Sequence, residues 1–133
     1  MKIDNSIAAF QMTNYLFEEL SFKKDVGFIP SHKYKLNLDL NVDTQLLDET
    51  NGMVILECTV TGENAFTICA KMKGVFSLKK GENINFKKFL QLNGTTVMFP
   101  FLRSAISDLT RVCNIAPVVL PLINITNFIK EEK

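Results

Sequence analysis

Tryptophan is missing from this 133-residue sequence, and histidine occurs once, at His32. The aromatic content therefore rests on 11 Phe and 2 Tyr, so most of it lacks a hydrogen-bonding tip. A lone histidine offers no ligand pair, and Cys58, Cys69 and Cys113 lack the CxxC spacing of a structural zinc site, so no metal is expected. An odd number of cysteines instead suits reduced, buried thiols in a cytoplasmic protein. Neither sign of charge dominates: 15 Lys and Arg against 14 Asp and Glu leave a net charge of +1. That balance excludes a strongly basic nucleic-acid binder and an acidic disordered tail. The basic doublets Lys23-Lys24, Lys79-Lys80 and Lys87-Lys88 are scattered, so no nucleic-acid partner is expected.

Long hydrophobic runs are absent as well. The longest near-apolar stretch, Ile115 to Ile123, is interrupted by Pro117 and Pro121 and falls short of the ~20 residues of a spanning helix, so no membrane insertion is expected. The opening Met1-Lys2-Ile3-Asp4-Asn5 reads as neither a secretory signal nor a transit peptide. Catalytic and nucleotide signatures are missing: there is no GxGxxG, GxxxxGK[ST], HExxH or GxSxG string. The adjacent acids Glu18-Glu19 and Asp48-Glu49 would point to opposite faces of an extended chain, which makes them solvated surface rather than an acid/base pair. Neither an enzyme nor a cofactor is expected.

What is present is a globular composition, 47% hydrophobic, of one domain's length, 1–133. Tyr34, Leu36, Leu38, Leu40 and Val42 alternate with Lys35, Asn37, Asp39, Asn41 and Asp43, the pattern of a strand with one wet face. Phe10 to Phe22 reads as a longer strand with Phe10, Met12, Leu16, Leu20 and Phe22 on one face, while Tyr15 and Phe17 fall on the other. Between them, Lys23 to Lys33 loses alternation and forms a crossover loop. Met53 to Thr61 and Ala65 to Ser77 flank the turn residues Gly62, Glu63 and Asn64 as an antiparallel hairpin. The period then becomes helical. A short helix from Ile84 to Leu90 is expected to stop at Gly94, and Pro100 to open a longer one with Leu102, Ala105, Ile106, Leu109 and Cys113 on one stripe. Asn124 to Lys133 is long enough for a short C-terminal helix. The sum is an α+β protein, a four-stranded antiparallel sheet with helices on one face. Tyr15, Phe17 and the off-stripe Phe101 are left without an obvious partner, which implies an oligomer interface or an apolar groove.

Several segments resemble the SecB family of tetrameric export chaperones. Met98-Phe99-Pro100-Phe101-Leu102-Arg103-Ser104-Ala105-Ile106 is similar to the Phe-Pro-Tyr-Ala-Arg-Glu-Ala-Ile motif of the family's long helix, and Pro117 to Asn124 to its later proline-containing segment. Leu38-Asp39-Leu40-Asn41-Val42-Asp43-Thr44 resembles the second-strand motif, and Ala65-Phe66 with Gly74-Val75-Phe76-Ser77 the fourth strand. The resemblance implies a homotetramer, a dimer of dimers, with Phe101, Leu102, Ala105, Ile106 and Leu109 of the long helix between protomers. It also implies a groove for unfolded polypeptide clients, at Tyr34, Leu38, Leu40, Val42 and Phe76 with Phe128 and Ile129 of the last helix; the alternative is that these residues are core, a reading that weighs equally for Leu38, Leu40 and Val42. Proteins of this family dock on the translocase ATPase SecA through acids on the sheet and in the tail. Here Glu19 alone keeps an acid at those positions, Lys23 replaces the second, and Thr67 and Cys69 stand at the fourth-strand contact, which weakens the implied SecA partnership. Two functions stay open: a general ATP-independent holdase, and a chaperone with one dedicated partner, such as an antitoxin.

Overall fold

The computed structural model describes residues 10–29, 34–79, 85–116 and 118–120. Strict alternation produces the expected strand β2, Leu36–Leu46, which pairs antiparallel with β3, Asn51–Gly62, without a register slip. The connection closes on Asp48, whose carboxylate accepts hydrogen bonds from the backbone N–H groups of Thr50 and Asn51, both at 2.8 Å. β4, Phe66–Leu78, returns beside β3 after a turn in which Asn64 takes a φ of 58°, a left-handed conformation that asparagine tolerates. β1, Phe10–Lys24, adds to the far side of β4, giving one four-stranded antiparallel sheet in the order β1-β4-β3-β2.

β1 departs from the expected pattern. The register shifts between Met12 and Asn14 and again between Phe17 and Glu19. Each bulge inserts one residue and reverses the parity of the strand. Phe10, Met12, Tyr15, Phe17, Leu20 and Phe22 consequently line up with Leu78, Phe76, Gly74, Met72, Ala70 and Ile68 of β4, on the sheet's apolar face. Tyr15 and Phe17 therefore belong to the same face as Phe10 and Met12, and Leu16 moves to the opposite one, beside Lys73.

The helices cover the apolar face, as expected, but their division differs. Phe86–Phe89 (α1) passes without a break into a wider π-type turn at Leu90–Gly94 and then into α2, Thr95–Val112. Gly94 is helical and does not end anything. A Cβ there would come within 2.8 Å of Val54 Cγ2 and 3.3 Å of the Phe76 ring, so the missing side chain is what lets the helix close on the sheet. Pro100 lies inside α2 rather than at its first turn. At the π-type turn, Thr95 Oγ1 donates to Gln91 O at 2.6 Å and Thr96 Oγ1 to Leu92 O at 2.8 Å. Leu90, Met98, Leu102 and Ile106 then pack with Val54, Leu56, Met72 and Phe76 in the core.

Candidate functional site

Two aromatic clusters brace the ends of the apolar face. Phe10 stacks on Phe76 at 5.1 Å and meets Phe89 edge-on at 4.8 Å. At the other end Phe66 gathers Phe22, Phe28 and Tyr34, with ring centroids 5.4, 6.0 and 5.0 Å away. Tyr34 reaches that position because Gly62 lies beneath it: a Cβ on Gly62 would stand 2.9 Å from the Phe66 ring and 3.2 Å from the Tyr34 ring.

The start of the crossover loop is fastened to the β3–β4 turn. Asp25 N donates to Ala65 O at 2.8 Å, Phe28 N to Asp25 O at 3.2 Å, and Glu63 N to Lys35 O at 2.9 Å. Between loop and turn lies a cleft of about 230 Å³ lined by Gly27, Phe28, Ile29, Tyr34, Glu63, Asn64 and Ala65. Phe28, Ile29, Tyr34 and Ala65 line it together with Glu63 and Asn64, and the surface it presents is mostly polar. Fully burying one large apolar side chain is worth about 1.5–3 kcal/mol whatever the surrounding sequence. Val26 and Ile29 extend the exposed apolar surface beside it.

The residues expected to form a groove are thus sorted. Tyr34 lines the cleft, and Leu38 and Val42 are partly buried against the core. Leu40 and Phe76, 1% and 0% exposed, are core residues with no face left for a partner, because the helix and loop close over this side of the sheet. Phe128 and Ile129 lie outside the described residues, as do His32 and the expected C-terminal helix. Phe28, Ile29, Glu63 and Asn64 were not singled out by sequence. The signal was there: Val26, Phe28 and Ile29 are three apolar residues in a connecting segment, where polar ones are usual.

The long helix divides likewise. Leu102 and Ile106 are 0% exposed and serve their own chain's core rather than an interface, because they point straight down onto the sheet. Ala105 and Leu109 are partly buried on the flank, and Phe101 is 39% exposed. Phe101 has a partner within the chain after all: its ring lies 5.0 Å from that of Tyr15, itself 43% exposed. Together with Val97 this pair forms an apolar ridge alongside edge strand β1.

The outer face of the sheet is electrically balanced. Glu18 pairs with Lys73 and with Lys71 at 3.7 Å, and Lys71 reaches Glu57 at 3.8 Å. The Lys73 hydrogen bond, with the nearby lysine charges, holds the Glu18 carboxyl below its usual value. Glu18 is therefore part of an ion-pair network, while Glu19 is exposed in register with Lys71. Cys58 is buried, and desolvation, with the Asp39 carboxylate and Cys69 adding to it, pushes its thiol up to about 12. It stays protonated and inert; Cys69 and Cys113 are only partly buried. Among the described residues no helix is long and apolar enough to cross a membrane.

A sheet ordered β1-β4-β3-β2, backed by one long helix, is the SecB-like architecture. The SecB family, described as preprotein translocase subunit SecB, matches residues 4–133, and the chain belongs to it. A protein-export protein SecB of Saccharophagus degradans is 29% identical over 125 residues, covering 88% of this chain and 74% of that one. An uncharacterized protein of Methanocaldococcus jannaschii is 25% identical over 126 residues, covering 88% and 80%. Among solved structures, the SecB-like chaperone of Mycobacterium tuberculosis, in complex with a ChAD peptide from the HigA1 antitoxin, superposes with a TM-score of 0.71 at 14% identity over 89% of this chain and 90% of that one. The fold is shared; the family is one of chaperones, not enzymes.

Proposed function

We propose that this protein is an ATP-independent holdase of the cytoplasm that captures non-native polypeptide as a SecB-type dimer of dimers. The observation that carries the reading is the exposed apolar pair Val26 and Ile29 at the cleft between crossover loop and β3–β4 turn, with Tyr34 and Phe28 beside it. An apolar side chain is reachable in an unfolded chain and hidden in a folded one, so such a cleft selects for non-native state rather than for sequence. Leu38 and Val42 continue the contact along β2, and Phe128 and Ile129, outside the described residues, are the further client contacts that the family resemblance implies. The ridge of Tyr15, Phe101 and Val97, flanked by Ala105 and Leu109, forms the contact between protomers. Several weak clefts joined in one assembly hold a long chain by avidity.

A dedicated partner is the second reading, favoured by the neighbour bound to an antitoxin peptide. SecA is the weaker candidate partner, because Lys71 and Lys73 neutralise the acids of the outer sheet face around Glu19. The test is light scattering of a chemically denatured, slow-folding protein diluted into increasing amounts of this chain without nucleotide. Suppression that saturates, and that is lost in Ile29→Asp with unchanged oligomer mass, supports the holdase. No suppression with several unrelated proteins sinks it in favour of the dedicated partner.

A further inference from the structure

The two flanks of α2 differ. Phe101, Ala105 and Leu109 follow one flank at helical spacing, whereas Arg103 with Ser107 and Pro100 with Ser104 follow the other. On that second flank residues 118–120 run alongside the helix. Val118 N donates to Thr110 Oγ1 at 3.0 Å, Thr110 Oγ1 donates to Ser107 O at 2.8 Å, and Arg103 Nε donates to Leu120 O at 3.0 Å. Beside them lies an open cleft of about 280 Å³ lined by Pro100, Arg103, Ser104, Ser107 and Val119.

Arg103 is partly buried in this cleft and, among the described residues, forms no ion pair. Of the five N–H donors of its guanidinium, the Nε–H is committed to Leu120 O. The bond to Leu120 also fixes the side chain, so less freedom is lost when the remaining donors are used. The paired Nη groups match a carboxylate, which they bind through two parallel hydrogen bonds. The Ser104 and Ser107 hydroxyls stand on the same flank as further donors, and Pro100 and Val119 supply apolar walls. We infer that this cleft is a carboxylate-binding subsite, taking a peptide carboxylate that sits beside an apolar residue. The carboxylate comes either from a chain terminus or from an Asp or Glu side chain. The inference does not rest on client capture, since the subsite lies on a different surface from the Ile29–Tyr34 cleft and is tested by direct binding.

The experiment is two-dimensional NMR of the full chain, following Arg103 Nε–Hε and the Ser104 and Ser107 amides. Acetyl-Val-Leu with a free carboxylate is titrated against the same peptide amidated. Saturating shifts with the free acid and none with the amide are expected, together with a loss of about fivefold or more in affinity in Arg103→Lys, which keeps the charge but loses the fork. Ser107→Ala, which leaves the Arg103–Leu120 bond intact, is expected to weaken binding about threefold. A third peptide, acetyl-Glu-Val amide, separates the sources: a response to acetyl-Val-Leu alone assigns a chain terminus, and a response to both assigns any carboxylate next to an apolar residue. Equal shifts with the amide, shifts that never saturate, or affinity unchanged in both variants would overturn the subsite. Saturation by inorganic phosphate with no response to either carboxylate overturns it as well.

Discussion

Asp48 gathers one turn around a single carboxylate. It accepts from the N–H groups of Thr50 and Asn51 and from the Asn51 side-chain amide at 2.9 and 3.0 Å, and these bonds hold its pKa below the ordinary value of 3.8. Because the folded-state value lies below the unfolded one, the contribution is fully present above about pH 4 and is lost as the pH falls through the lowered value. Asp48→Asn removes the charge but keeps an accepting oxygen. The variant is therefore expected to melt below the parent at neutral pH, with the gap closing as the pH falls below about 4. Melting curves of both proteins across that range decide the matter, and a gap that stays constant with pH refutes the assignment. Glu18, also lowered, is common to both proteins and drops out of the difference.

At the scale of elements, the contact between helix and sheet is set by Gly94 over Val54 and Phe76. Alanine favours a helix interior over glycine by about 1 kcal/mol. Forcing a methyl to 2.8 Å from a fully buried, β-branched valine costs about 1–3 kcal/mol, because neither partner has room to move. In the middle of that range the overpacking exceeds the helix gain by about 1 kcal/mol, so Gly94→Ala is expected to lower the melting temperature by roughly 3–5 °C, and a rise would show that the helix yields more easily than this packing implies. The same contact explains what was hard to read in the sequence. β2 was legible because its alternation of apolar and polar residues is unbroken, and β3 and β4 because they flank clear turn residues and each keeps one apolar face. Glycine and proline, however, carry opposite meanings by context: Gly94 and Pro100 read as a stop and a start, yet they sit inside one continuous helical stretch that packs closely on the sheet. In β1 the two bulges shift parity twice, so no single period fits the strand. Leu102 and Ile106 form an amphipathic stripe, and a stripe says that a face is buried without saying against what. The cleft was least legible, since it is made by a loop and a turn 34 or more residues apart in sequence, Ile29 against Glu63 and Asn64.

For the whole molecule, the question is what covers the ridge of Tyr15, Phe101 and Val97. Two aromatic rings 5.0 Å apart, each roughly two-fifths exposed, lie beside the 15-residue edge strand β1, which is exposed along most of its length. Apolar side chains beside an open edge invite a second copy of the same chain. Phe101 is separable from the core in a way that Ile106 is not: a charge at Ile106, fully buried, prevents folding, whereas a charge at Phe101 reaches water in the isolated chain and is stranded only when a partner covers it. Phe101→Asp is therefore expected to leave the far-ultraviolet circular dichroism intact while sedimentation shows a smaller species. If the clefts act together, splitting the assembly lowers client affinity as well, by about tenfold or more, because fewer linked clefts then hold the same chain. Light scattering at equal chain concentration measures that loss. A smaller species with undiminished client binding would place the holding power within one protomer, and an assembly of unchanged mass would take Phe101 out of the interface.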